Sequence, residues 1–195
     1  IAALDERIEI AKSTLYNDAV AAGNSGNYTA ACYTFNRLGS YKDSTKRYTY
    51  YGIREDEGKL ADSTNQDAVL AVAARYTDMN TFLDCAARAA AMKAKADAIV
   101  TNKYAAIAAL IDEGKYAAGE ASLASFGQYG NEQVAANYYA IGEKYLEQHQ
   151  WEEASFAFKK AGSYSDAKAR SSEPFYREGE ALLAENKWED AAAAF

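Results

Sequence analysis

The sequence has 195 residues, 49% hydrophobic and 25% charged, with 12 glycines against a single proline; this argues against disorder and favours helices joined by short glycine turns. Lys and Arg total 21 against 28 Asp and Glu, a net charge of -7, so a nucleic-acid backbone and an anionic membrane surface are both repelled at long range. Cys32 and Cys85 stand far apart without CxxC spacing, which suits neither a zinc site nor a disulfide scaffold, and no apolar run approaches the roughly 20 residues that span a bilayer.

The chain opens on Ile1-Ala2-Ala3-Leu4-Asp5, with neither an initiator methionine nor a signal-peptide pattern, and ends on Ala191-Ala192-Ala193-Ala194-Phe195 inside a helical pattern. It reads as a soluble piece of a longer protein. Between these ends one motif repeats. The first unit, 13–42, places Tyr16 twelve residues before Tyr28 and continues through Ala31, Phe35, Gly39, Tyr41 and Asp43. In the second, 43–83, Tyr50 leads to a degenerate copy, Val72, Tyr76, Met79, Phe82 and Asp84, that loses the glycine. Turn formers from Gly58 to Gln66 predict a longer inter-helix loop there. The third, 84–131, starts with the alanine-rich run Cys85 to Lys95, expected to be helical toward Val100 as an extra helix or an extension. Its motif positions are Tyr104, Tyr116, Gly119, Leu123, Phe126, Gly127, Tyr129 and Asn131. The fourth, 132–170, holds the closest match to the first: Tyr139, Trp151, Ala154, Phe158, Gly162, Tyr164 and Asp166. The fifth, 171–195, has Tyr176, Trp188, Ala191 and Phe195, with Ser171 and Ser172 before Glu173-Pro174 as a helix start.

Each unit therefore has two helical halves, expected as pairs over about 13–40, 43–80, 84–127, 133–162 and 172–195 within a single domain 1–195. Ala154, Phe158 and Ala161 fall at i, i+4 and i+7 on one helix face, so that helix packs through Phe158. Gly39, Gly127 and Gly162 follow the last apolar position, where a left-handed residue ends a helix at low cost. Asp43 and Asp166 precede the next helix and are expected to cap it through their side chains, typically worth about 1 kcal/mol.

These units resemble the tetratricopeptide family, most closely where Tyr138, Ile141, Gly142, Tyr145, Trp151, Ala154, Phe158 and Ala161 fall on its small and aromatic packing positions, and again at Phe175, Gly179, Leu182, Trp188, Ala191 and Phe195. The family's proline at the end of the second helix is replaced by Asp43, Asp84, Asn131 and Asp166. The phrase Gly39-Ser40-Tyr41-Lys42-Asp43-Ser44 also resembles a repeat variant of Gram-positive bacteria, implying a bacterial source, in the cytoplasm or on the exposed part of a membrane-anchored protein. The resemblance implies an all-α solenoid of about five antiparallel helix pairs, the second and third irregular. It further implies that the tyrosine opening each unit lies on the helix lining a concave groove.

No constellation for catalysis, metal or cofactor stands out. His149 occupies the position of Gly26 and Gly114 and reads as a turn residue rather than a general base. The acids Glu55-Asp56-Glu57 sit at adjacent helical positions that diverge around the axis and read as a solvated face. The expectation is a non-catalytic scaffold for a protein or peptide partner, without nucleic acid or membrane insertion. Its binding residues would be a ladder of Tyr16, Tyr50, Tyr104, Tyr139 and Tyr176, with Glu143, Glu147 and Glu180 nearby. Aromatic rings supply contact area with little rotamer entropy to lose, and the acids would steer a cationic segment. The same rings can equally stack helix on helix. The alternative function is an accessory helical domain of a larger surface protein or enzyme, with glycan as a further ligand class.

Overall fold

A computed structural model describes residues 2–126 and 131–195, Asn131 by its backbone alone; the expected cap Gly127 and repeat position Tyr129 lie outside the described residues, as does the side chain of Asn131. Among the described residues the chain is all-helical, without strands. In order come α1 (Ala2–Asn24), α2 (Tyr28–Leu38), α3 (Ser44–Lys59), α4 (Gln66–Asp78), α5 (Cys85–Asp112), α6 (Tyr116–Ala124), α7 (Asn131–Glu147), α8 (Trp151–Ala161), α9 (Ala167–Arg170), α10 (Glu173–Ala184) and α11 (Trp188–Ala194). Neighbours in sequence pack as pairs, α1 with α2, α2 with α3, α7 with α8 and α10 with α11. Two compact units result, residues 1–102 and 103–195, divided inside α5.

The alanine-rich run beginning at Cys85 extends well past Val100. α5 continues for 28 residues to Asp112 as one helix, because no glycine or proline interrupts it before Gly114, whose φ of 74° makes the turn. The loop expected from Gly58 is shorter than the turn formers suggest. Gly58 and Lys59 stay helical, and only Leu60 to Asn65 leave the helix. The Nζ of Lys95 holds the end of α3 by donating to the carbonyls of Leu60 and Ala61, and the Asn65 side chain starts α4 by accepting from the Ala68 amide at 3.1 Å.

Helix ends follow a repeated pattern of left-handed residues. Gly39 and Gly162 have φ of 58° and 64°, as expected, and Asn80 at 51° takes the same position in the copy without glycine. Three residues later Lys42, Leu83 and Ser165 share φ of 48°, 48° and 49°. His149, at 60°, makes the turn that Gly26 and Gly114 make elsewhere. Ser172 occupies the N-cap of α10 with Pro174 in the first turn, but it does not cap: its hydroxyl donates back to the Ala169 carbonyl at 3.2 Å.

The core of residues 1–102 centres on Phe35, Tyr51 and Tyr76, all buried. The Phe35 ring lies between Tyr16, edge-on at 5.6 Å, and Tyr51, stacked at 5.8 Å. In residues 103–195 the buried Phe158 lies against the backbone of α7 at Gly142, where a Cβ would stand 3.0 Å from the ring. Burying each phenylalanine contributes about 2–3 kcal/mol through removal of apolar area from water.

Candidate functional site

The repeat aspartates do not cap. Asp43 and Asp166 stand at helix N-caps, yet neither makes a side-chain cap hydrogen bond. These carboxylates and that of Asp84 instead accept the hydroxyl proton of a unit-opening tyrosine: Tyr16 to Asp43 at 2.5 Å, Tyr50 to Asp84 at 2.7 Å and Tyr139 to Asp166 at 2.7 Å. An arginine one helical turn after each aspartate completes the cluster. Arg47 Nε reaches both Tyr16 Oη, 2.7 Å, and Asp43, 2.9 Å; Arg88 Nε lies 2.9 Å from Asp84; Arg170 Nη1 donates to Tyr139 Oη at 3.2 Å. The rings are committed as well, since Tyr41, Phe82 and Tyr164 sit edge-on to Tyr16, Tyr50 and Tyr139 at 6.1, 6.1 and 5.8 Å.

Electrostatics follow from this wiring. Burial raises the pKa values of Tyr16 and Tyr50, and the acceptor carboxylates raise them further. Burial opposes the charge of Asp43 and Asp84, but the tyrosine hydroxyls and the arginines outweigh it and hold both carboxyls below the usual range.

The middle of residues 1–102 carries a larger network. Tyr76 donates to Glu57 at 2.6 Å, and Arg88 reaches both oxygens of Glu57 at 3.0 and 3.1 Å. Arg54 donates to Tyr28 Oη at 2.7 Å and Tyr50 Oη at 3.2 Å. Glu57 is therefore the anionic centre of a packed cluster rather than part of a solvated face, while Asp56 does face outward, paired with Arg75 and Lys59.

The five tyrosines of the expected ladder sit in unlike surroundings. Tyr50 is 5% exposed and offers no ring face to a ligand. Tyr16 and Tyr139 are half-buried with their hydroxyls engaged, and Tyr104, also half-buried, stacks on Phe126 at 4.4 Å. Tyr176 keeps an open face, 58% exposed, with Phe195 tilted against it at 5.5 Å. Of the acids, Glu143 joins the Tyr139 cluster through Arg170 at 2.5 Å, Glu147 pairs with Lys144 at 2.9 Å, and Glu180 is exposed. On α6, the Glu120 carboxyl is pushed up by burial and by the nearby charge of Glu153.

Arg47, Arg88, Arg170 and Arg54 are not singled out from sequence, which places Glu57 on a solvated face. Their signal was present as an arginine four residues after each repeat aspartate. A second repeated feature faces solvent: Tyr33 on α2 and Phe156 on α8, 64% and 53% exposed, hold the same position after Tyr28 and Trp151. Each has a cation one turn on, Arg37 and Lys160, lying 5.5 and 5.1 Å from the ring centre. Compared with family models, with curated proteins and with solved structures, the chain has no match.

Proposed function

We propose that the chain is a non-catalytic interaction module, a solenoid of tetratricopeptide-like helix pairs that holds a protein or peptide partner. The observation that carries this reading is recurrence. A catalytic centre is assembled once, whereas the cluster of tyrosine, aspartate and arginine recurs at three junctions with its groups committed to one another. Titratable groups used in this way align successive helix pairs.

Contact falls to what the junctions leave open. Tyr33 with Arg37 and Phe156 with Lys160 present an exposed ring beside a cation, and exposed aromatic rings and arginine are enriched at protein interfaces. Tyr176, Glu147 and Glu180 form the remaining open part of the ladder. The test compares these two sets. A tagged chain is used to capture and identify a partner, and Tyr33→Ala with Phe156→Ala should abolish that capture while the Tm stays nearly unchanged. Loss only on changing Tyr176, Glu147 and Glu180 would move the surface to the ladder. Retention in both sets would remove the proposal.

A further inference from the structure

A cleft of about 390 Å³ opens beside the Glu57 network, lined by Tyr28 of α2, Arg54 and Glu57 of α3, and Ala91, Met92 and Lys95 of α5. Its charges do not balance. Of the residues that line it, Arg54 and Lys95 stand against Glu57, two cations to one anion, and behind them Arg88 is matched by Asp84, in a protein whose net charge is -7. Glu57 is taken by Arg88 and Tyr76, and Arg54 Nε remains 3.4 Å from it without a hydrogen bond. The hydrogen bonds of Arg54 run to neutral phenols, and among the described residues no carboxylate pairs with Lys95.

Two donors are left over at this cleft. An ammonium group has three protons, and Lys95 uses two on the carbonyls of Leu60 and Ala61. The Tyr28 hydroxyl accepts from Arg54, which leaves its own proton to give. One surplus positive charge and two spare donors match a single carboxylate, whose two oxygens accept both. Ala91 and Met92 supply an apolar wall beyond them, and the volume is at the low end for ligand sites.

We propose that this cleft binds a small monocarboxylic acid with a short apolar tail, its carboxylate held by the Lys95 ammonium and the Tyr28 hydroxyl and its tail against Met92. The site is independent of any macromolecular partner.

The chain contains two methionines, Met79 and Met92, and only Met92 lines the cleft. With methyl-labelled methionine, titration with hexanoate should move the Met92 resonance saturably and leave Met79 in place. Hexylammonium should move neither. Tyr28→Phe and Lys95→Met should each weaken hexanoate binding about tenfold, the scale of one hydrogen bond to a charged group; Tyr28→Phe keeps the ring and guards against a folding defect at Lys95. Three results would overturn the assignment: no saturable shift at tens of millimolar hexanoate, equal shifts with hexylammonium, or unchanged binding in both variants. A shift of Met92 by sulfate as large as by hexanoate would overturn the match to a singly charged, tailed ligand.

Discussion

In residues 1–102 the arginine of each junction pairs with its own aspartate, Arg47 with Asp43 and Arg88 with Asp84, both at 2.9 Å, Arg88 reaching Glu57 as well. In residues 103–195 Arg170 instead reaches Glu143 at 2.5 Å and Glu173 at 2.8 Å, leaving Asp166 to the Tyr139 hydroxyl. The residue one turn after each tyrosine accounts for the difference. Tyr16 is followed by Val20, which cannot compete for the guanidinium, and Tyr50 by Arg54, which repels it; Tyr139 is followed by Glu143, which attracts it. Two added acids, Glu143 and Glu173, thus rewire a junction that keeps its tyrosine, aspartate and arginine, because charge-assisted pairs form with the carboxylates that lie nearest.

The largest test of this comparison lies in the cores beneath the junctions. Phe35→Ala and Phe158→Ala should each cost about 3–5 kcal/mol in denaturant unfolding. Phe35 should sit at the upper end, since two rings, Tyr16 and Tyr51, flank it and hinder collapse of the cavity, whereas Phe158 has one, Tyr139 at 5.4 Å, and otherwise abuts Gly142. The reverse order would mean that the flanking rings repack freely.

A smaller effect separates the closed clusters by pH. The carboxyls of Asp43 and Asp84 have folded pKa values below their unfolded ones. Their stabilisation is therefore fully present above about pH 4, the unfolded aspartate value, and is lost as pH falls through the folded value. Asp43→Asn with Asp84→Asn should lower stability at neutral pH and flatten its fall below about pH 4. Parallel melting curves for variant and parent across that window would assign acid sensitivity to other groups.

The smallest effect sharpens the comparison most. Glu143→Val gives the fourth unit the residue found after Tyr16, and Arg170 should then swing to Asp166. A change in the Arg170 guanidinium resonances should report the move, with a stability change within about 1 kcal/mol because Asp166 replaces Glu143 as a near-surface partner while the Glu173 pair stays.

The helix pairs were legible from sequence because Phe35 and Phe158 lie on faces with helical spacing and Gly39 and Gly162 mark helix ends, features set by neighbours within one turn. The junctions were not. An aspartate before a helix looks the same whether it caps that helix or accepts from a tyrosine 27 or 34 residues upstream, the separations seen here. Glu57 was misread for a related reason: adjacent acids fan around a helix, and only tertiary packing decides which meets Arg88 and Tyr76 and which meets water. The length of α5 was readable in part, through the lack of glycine and proline up to Gly114.

Lys42, Leu83 and Ser165 have nothing in common chemically, a cation, a branched alkyl group and a hydroxyl, yet they adopt one left-handed conformation within a degree of each other. That conformation opposes the chirality of an L-residue by about 1–2 kcal/mol, so no side chain there selects it. The aromatic residue just before each, Tyr41, Phe82 or Tyr164, is seated on the tyrosine that opens its own unit, a contact that holds the bend from outside. Such a position records no preference of its own: from one repeat to the next the letter changes while the curve of the chain stays the same.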